Sequence, residues 1–310
     1  NLIKKSLKTK KIFFHFLKDK EKNKNQNNTN KILEILLNKN FSRQDCLITI
    51  GGGITGDIGG YAASLFKRGL QFINVPTTLL AQVDSSIGGK TGINTVHGKN
   101  LIGTFFQPKL VISDSIFLNS LPRREIICGY GEILKHSLIS SKKLFNFLNK
   151  NIFKILNLKS PFLEKAIYES CKIKKFVVEK DEKEKNLRKI LNFGHTFAHA
   201  YEATLNFSKK LNHGEAVLLG ILSATSFSLK IKLLSKKDYF MIKSHFTKNH
   251  LINNLNNYFS KKDLQKLLLF MKKDKKNTNN LINLILLKKI GNIKLNLNFT
   301  NRKVYEFLKS

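Results

Sequence analysis

The stretch "GGGITGDIGG", Gly51 to Gly60, places six glycines in ten residues. It follows the apolar, β-branched run Leu47-Ile48-Thr49-Ile50 and precedes a helix-length segment, Asp57 to Lys67. Glycine inside a helix costs about 1 kcal/mol relative to alanine, so something must approach this backbone too closely to leave room for side chains. Gly51, Gly53 and Gly56 have the spacing G-x-G-x-x-G. Between a strand and a helix, that spacing lets helix N-terminal amides meet a pyrophosphate. The ribose-binding acid that normally ends the next strand is absent, because "FINVP" leads into Thr77 and Thr78.

Around this stretch, the short runs "CLITIGGG", "QFINVPTT" and "KLVISDS" end at glycine, proline or polar residues. Strands alternating with helix-length segments argue a parallel α/β sheet. From about Pro122 glycine thins out and apolar residues take helical spacing, as in "EILKHSLISSKKLFNFLNKNIFKIL". The expected organisation is an α/β dinucleotide-binding domain over residues 1–120 and an all-α domain over 121–310, with the boundary between Ser113 and Arg124.

A chain of 310 residues with 42% hydrophobic content can bury a large core. The 55 Lys and Arg against 21 Asp and Glu leave a net charge of +34. This excess is spread over solvated stretches such as "KDKEKNKNQNNTNK", whereas a nucleic-acid surface concentrates its charge and interleaves stacking aromatics. Nucleic acid is therefore not the expected partner. Cys46, Cys128 and Cys171 show no paired spacing, which points to a reducing cytoplasm. The apolar stretch from Ala216 to Leu229 is too short to span a bilayer and reads as a buried helix.

Gly89-Lys90-Thr91 resembles the end of a P-loop, but the loop's first glycine would fall on Asp84. Lys90, Lys99 and Asn100 remain as polar groups on glycine-rich loops, suited to anionic oxygens. Further on, Glu132, Lys135 and His136 in "GYGEILKH" share one helical face, and His195 and His199 in "NFGHTFAHA" lie one turn apart. With His213 in "NHGEA", these give five candidate ligands of the carboxylate and imidazole type that zinc prefers. Spacing alone leaves open which three of Glu132, His136, His195, His199 and His213 bind metal.

Together, "GGGITGDIGGYAASLFKRG", "VPTTLLAQVDSSIGGKTGIN", "GKNLIGTFFQP", "LRKILNFGHTFAHA" and "NHGEAVLLGI" resemble the 3-dehydroquinate synthase family from about Asp19 onward. The resemblance implies zinc or cobalt on Glu132, His195 and His213, with His199 unligated nearby. It implies NAD on Gly51 to Gly56, which takes in Gly52, Gly53, Ile54 and Thr55, and on Asp57, Thr77, Thr78, Lys99 and Phe117-Leu118-Asn119-Ser120. Asp84 and Lys90 would sit at the nicotinamide end. "DKEKNK" looks like the family's D-G-E-x-x-K segment, so the ribose contacts would come from Asp19, Glu21 and Lys24; Lys20 stands where the family has glycine. Arg68, Asn100, Lys135, Lys174, Arg188, Asn192 and Lys275 would hold a sugar-phosphate substrate, and the assembly implied is a homodimer.

The implied reaction turns 3-deoxy-D-arabino-heptulosonate 7-phosphate into 3-dehydroquinate and phosphate. It proceeds by transient oxidation, β-elimination, re-reduction and aldol closure. The competing enzyme reading is a glycerol-dehydrogenase-like oxidoreductase, which would accumulate NADH. Only eighteen residues precede Asp19, and Ile12 to Phe16 offers material for one strand. The expectation is an N-terminally incomplete synthase with intact zinc and substrate sites and weakened NAD affinity and stability.

Overall fold

The computed structural model describes residues 11–18, 20–252, 254–273 and 281–309. The expected ligands Asp19 and Lys275 lie outside these residues. The chain forms two compact units, and no single cut at residue 120 separates them. One unit runs to Val75 and resumes over Gly89–Leu110; the other takes Pro76–Gly88 and everything from Val111. The segment after Pro76 leaves the sheet and packs among helices of the second unit, where Leu79 is fully buried.

In the first unit, α1 (Gln26–Asn38) starts at Asn25, whose side chain accepts from Asn28 N. β1 (Cys46–Gly51) is followed by α2 (Gly53–Leu65) and β2 (Gln71–Pro76). β3 (Lys90–Thr95) and β4 (Gly98–Phe105) pair antiparallel, with Lys90 opposite Phe105. β5 (Leu110–Val111) joins a sheet of order β1-β2-β5. Because Lys90 opens a strand, the Gly89-Lys90-Thr91 sequence has no helix on which to build a P-loop.

The helix after β1 starts at Gly53, four residues before the expected Asp57, so most of the glycines lie inside it. Packing explains this. A Cβ at Gly60 would stand 2.5 Å from Thr91 Cγ2 and 3.0 Å from Phe72, and one at Gly59 would overlap Thr49 Cγ2. The helix therefore lies directly on the strands, and its own sheet excludes side chains there. Within this stretch, only at Gly52 and Gly53 does no atom of the described residues crowd the added carbon. The pyrophosphate is expected on Gly51 to Gly56; Gly59 and Gly60, beyond it, are accounted for by the packing of the helix on the strands.

Ile12 to Phe16 forms no strand. A lone strand needs a ladder partner, and Phe13 instead packs edge-on against Phe41 with ring centroids 5.7 Å apart.

The second unit is built on α3 (Arg123–Ser140), whose residues from Cys128 to Ile139 are all buried. Around it lie α4 (Lys142–Leu156), α5 (Phe162–Lys180), α6 (His195–Thr204), α7 (His213–Lys230), α8 (Lys236–Lys248) and α9 (Leu264–Lys272). α7 contains the Ala216–Leu229 run, and no helix among the described residues is long and apolar enough to cross a membrane. The unit is helical but not wholly so. β6 (Leu281–Lys289) and β7 (Asn292–Thr300) form an antiparallel hairpin, followed by α10 (Asn301–Lys309). In β7 half-buried and exposed positions alternate, and its Asn and Lys positions face solvent. The strict alternation of polar and apolar residues in "NIKLNLNFT" is the period-two signal of a half-buried strand, which the all-α expectation overlooked.

Candidate active site and metal centre

Glu132 lies mid-way along α3, where it is 1% exposed. His195 and His213 are the first residues of α6 and α7. Gly194, in the left-handed region at φ 80°, turns the chain into α6 and packs so closely on Gly220 and Ile221 that a Cβ would clash. At α7 a capping box, with Asn212 Oδ1 accepting from Glu215 N and Glu215 Oε2 accepting from Asn212 N at 2.9 Å each, fixes the start of the helix. One ligand atom from each of Glu132, His195 and His213 falls within 4.8 Å of the others.

Both imidazoles are oriented by their second nitrogen. His195 Nδ1 donates to Phe193 O at 3.3 Å and His213 Nδ1 to Glu202 Oε2 at 3.0 Å. That leaves each Nε2 lone pair for a metal. Desolvation, helped by the Lys135 charge, holds the His195 pKa well below the ordinary histidine value. Partial desolvation also pulls His213 down, but the Glu202 carboxylate more than offsets it and the net shift is upward.

His136, left open by spacing, joins a different group. Its ligand atom lies within 4.8 Å of Asp84 and Glu132 oxygens. Its Nδ1 pairs with Ser170 Oγ at 2.7 Å, and its Nε2 has no hydrogen-bond partner among the described residues. Lys135 is ion-paired with Glu132 and Lys174 with Asp84, so this second group already carries two balancing ammonium charges. The Lys135–Glu132 pair borders the first group as well, so the second group differs from it by the Lys174–Asp84 pair and by offering one imidazole in place of two. His199 is exposed and outside both groups, its ring 5.4 Å from that of His195.

Asp84 sits on a single π-helical turn, Ala81–Ser85. Thr78 Oγ1 accepts from Ala81 N at 3.1 Å and caps that turn. Burial would raise the Asp84 carboxyl, and the Lys174 ammonium outweighs it, holding the group well below the usual carboxylate range. Arg188 is 2% exposed and donates to Gly88 O at 2.9 Å and to Glu182 O. Asn192 Nδ2 donates to Glu184 Oε1 at 2.6 Å. Phe117 to Ser120 belong to a short turn, but Leu118 is fully buried in the helical core, so its side chain is not open to a dinucleotide.

The remaining sequence candidates fall in the first unit. Lys24 is buried and bonded to Asp57 and to Asn100 Oδ1, the latter at 2.5 Å. Glu21 Oε1 accepts from Asn94 Nδ2 at 2.7 Å and lies 4.0 Å from Lys99 Nζ. Asn94 Oδ1 in turn accepts from Asn100 N at 3.0 Å. Arg68 and Lys90 are exposed, Ile54 packs beside Ile58 and Ile93, and Thr55 lies over Gly51. Sequence reading missed Asn94 and Glu202. Glu202 had a signal, since it follows His195 by seven residues, two turns along the same helical face.

The family model for the 3-dehydroquinate synthase N-terminal domain matches residues 14–128, and that for the C-terminal domain matches residues 129–277. The chain belongs to the 3-dehydroquinate synthase family. It is similar to the 3-dehydroquinate synthase of Pelagibacter ubique, with 60% identity over 312 residues covering all of this chain and 85% of that protein. Among solved structures, a 2-deoxy-scyllo-inosose synthase complexed with carbaglucose-6-phosphate, NAD+ and Co2+ matches at 27% identity and TM-score 0.84, covering 94% of this chain and 82% of that one. A 2-epi-5-epi-valiolone synthase from Streptomyces hygroscopicus subsp. jinggangensis, with NAD+ and Zn2+ bound, shares the fold at 24% identity and TM-score 0.85, over 94% of this chain and 81% of that one. The family fold is an α/β N-terminal part followed by a helical C-terminal part, as read from the sequence.

Proposed function

We propose that this chain is an NAD- and zinc-dependent 3-dehydroquinate synthase. It would convert 3-deoxy-D-arabino-heptulosonate 7-phosphate to 3-dehydroquinate and phosphate, as a cytoplasmic homodimer. The observation that carries the reading is the convergence of Glu132, His195 and His213 beside the two ion pairs Lys135–Glu132 and Lys174–Asp84. The donor set fits zinc: one carboxylate and two imidazoles, each imidazole already oriented through Nδ1. The dinucleotide fits as well, because α2 presents its first amides at Gly52 and Gly53, where nothing among the described residues occupies the space a Cβ would fill.

When bound, zinc supplies a Lewis acid at a substrate oxygen and NAD a reversible hydride acceptor. The chain's own groups bind and orient. Lys135 and Lys174, buried at 2% and 5% exposure, present ammonium groups whose attraction for the substrate's carboxylate and phosphate is little screened by water. Arg188, clamped by two main-chain carbonyls, is held in one orientation and adds a third fixed cation. Asp84 keeps Lys174 in place. Arg68, Lys90, Asn100 and Asn192 complete the proposed substrate set, and Glu21, Lys24, Asp57, Thr77, Thr78, Lys99 and the Phe117–Ser120 backbone the proposed NAD set.

The test is incubation with the heptulosonate phosphate, NAD and zinc, following phosphate and NADH together. Phosphate release without net NADH supports the synthase. Steady NADH growth on a simple polyol, with no phosphate released, would replace it with a polyol dehydrogenase.

A further inference from the structure

Glu202 stands where a helix does not favour a carboxylate. It lies in the last turn of α6, where the exposed carbonyl ends of the helix repel negative charge. It is also 6% exposed, so it is largely desolvated. Both factors oppose an acid at this position on grounds of stability, and such local conflicts mark function. The hydrogen bond from His213 Nδ1 to Glu202 Oε2, at 3.0 Å, supplies the reason.

We propose that Glu202 is a positioning residue that fixes the tautomer and ring orientation of His213 and thereby sets the affinity of the Glu132/His195/His213 centre for its metal. The proposal rests on the metal reading given above. The α7 capping box fixes the His213 backbone but leaves the ring free to turn about its side-chain bonds. The 43% exposure of the His213 side chain means that packing does not hold the ring. A neutral imidazole can carry its proton on either nitrogen, and only the tautomer with Nδ1–H directs a lone pair from Nε2. The buried Glu202 acceptor selects that tautomer. Its charge also makes Nε2 a stronger donor to a cation.

The test measures zinc affinity by chelator competition and the absorption spectrum of the cobalt-substituted protein, in wild type, Glu202→Gln, Glu202→Leu and His213→Ala. Glu202→Gln keeps volume and an acceptor but loses the charge, and is expected to weaken zinc about tenfold; Glu202→Leu loses both and is expected to approach 100-fold, with a shifted cobalt band. Zinc affinity within about twofold of wild type in both Glu202 variants, with unchanged cobalt bands, overturns the proposal. If Glu202→Leu fails to fold by circular dichroism, Glu202→Gln alone decides on the same criterion. His213→Ala separates the two levels, because full zinc occupancy in that variant would sink the ligand assignment itself. Loss of zinc in His213→Ala together with wild-type binding in both Glu202 variants would sink only the positioning role.

Discussion

Lys174 Nζ lies 2.6 Å from Asp84 Oδ1 and 2.5 Å from the main-chain oxygen of the same residue, joining α5 to the π-helical turn. One ammonium therefore holds both the charge and the backbone of a residue 90 positions away. Lys174→Met should expose the dependence. It leaves the Asp84 carboxylate without its partner, at a cost of about 2 to 3 kcal/mol, less than for a fully buried pair because the Asp84 side chain is one-third exposed. Since the folded-state pKa of Asp84 is depressed, the pair's contribution is present above the ordinary carboxylate value of 3.8 and is lost as pH falls below it. Urea unfolding at neutral pH and near pH 3 should show the variant's deficit shrinking in acid. An equal deficit at both would remove the ion pair from the explanation.

The contact between α2 and β1 can be tested by compensation. Gly59→Ala drives a methyl group into Thr49 Cγ2 and should cost about 1 to 3 kcal/mol. Thr49→Ser removes that methyl yet keeps the hydroxyl that bonds Asn74 Oδ1 at 3.0 Å. The double variant should recover most of the loss in thermal midpoint. Additive destabilisation would place the clash elsewhere.

His245 provides a pH dependence remote from the metal ligands. It is 1% exposed, donates from Nδ1 to Asn149 Oδ1 at 2.9 Å and pairs through Nε2 with Tyr130 OH at 2.8 Å. Burial pulls its pKa from 6.5 down to about 4. The unfolded chain binds a proton between these values and the folded chain does not, so stability is fully present above 6.5 and falls as pH approaches 4. The loss is on the order of 3 kcal/mol. Denaturant midpoints of wild type and His245→Gln, measured from pH 4 to 7, should converge toward the acid end. Parallel curves would show that His245 does not titrate in this way.

Chelation should abolish phosphate release, and zinc should restore it with about one ion per chain, because Glu132, His195 and His213 converge and the second group, Asp84, Glu132 and His136, shares Glu132 with them. Metal analysis before and after dialysis measures the stoichiometry. Activity that survives complete metal removal would contradict the assignment.

Lys135→Ala should keep NAD affinity and lose turnover, since Lys135 lies against Glu132 in the helical unit while the glycine turn lies in the other unit. The expected loss of transition-state binding is about 2 to 5 kcal/mol. Isothermal titration with NAD alongside single-turnover phosphate release checks both halves. A matching fall in NAD affinity would move Lys135 to the wrong ligand.

Much of this protein was legible in the chain. Short β-branched runs ending at glycine, proline or polar residues and then helical spacing separated the α/β part from the helical part, and the strand–glycine–helix order marked the turn proposed for the dinucleotide. Local spacing put Glu132, Lys135 and His136 on one face because a helix repeats every 3.6 residues whatever surrounds it. Spacing could not choose between His136 and His213 as ligands. That choice depends on distances between side chains on separate helices, and those distances are set by how α3, α6 and α7 pack. The same limit applies to the glycines. The sequence pointed to side chains being excluded from Gly51 to Gly60, but only the tertiary structure showed that Thr55 does so at Gly51, Asn74 at Gly56, Thr49 at Gly59 and Phe72 and Thr91 at Gly60, with no atom of the described residues crowding Gly52 and Gly53. A residue's identity fixes what its backbone can adopt, whereas the atoms it meets come from remote parts of the chain and are decided by close packing.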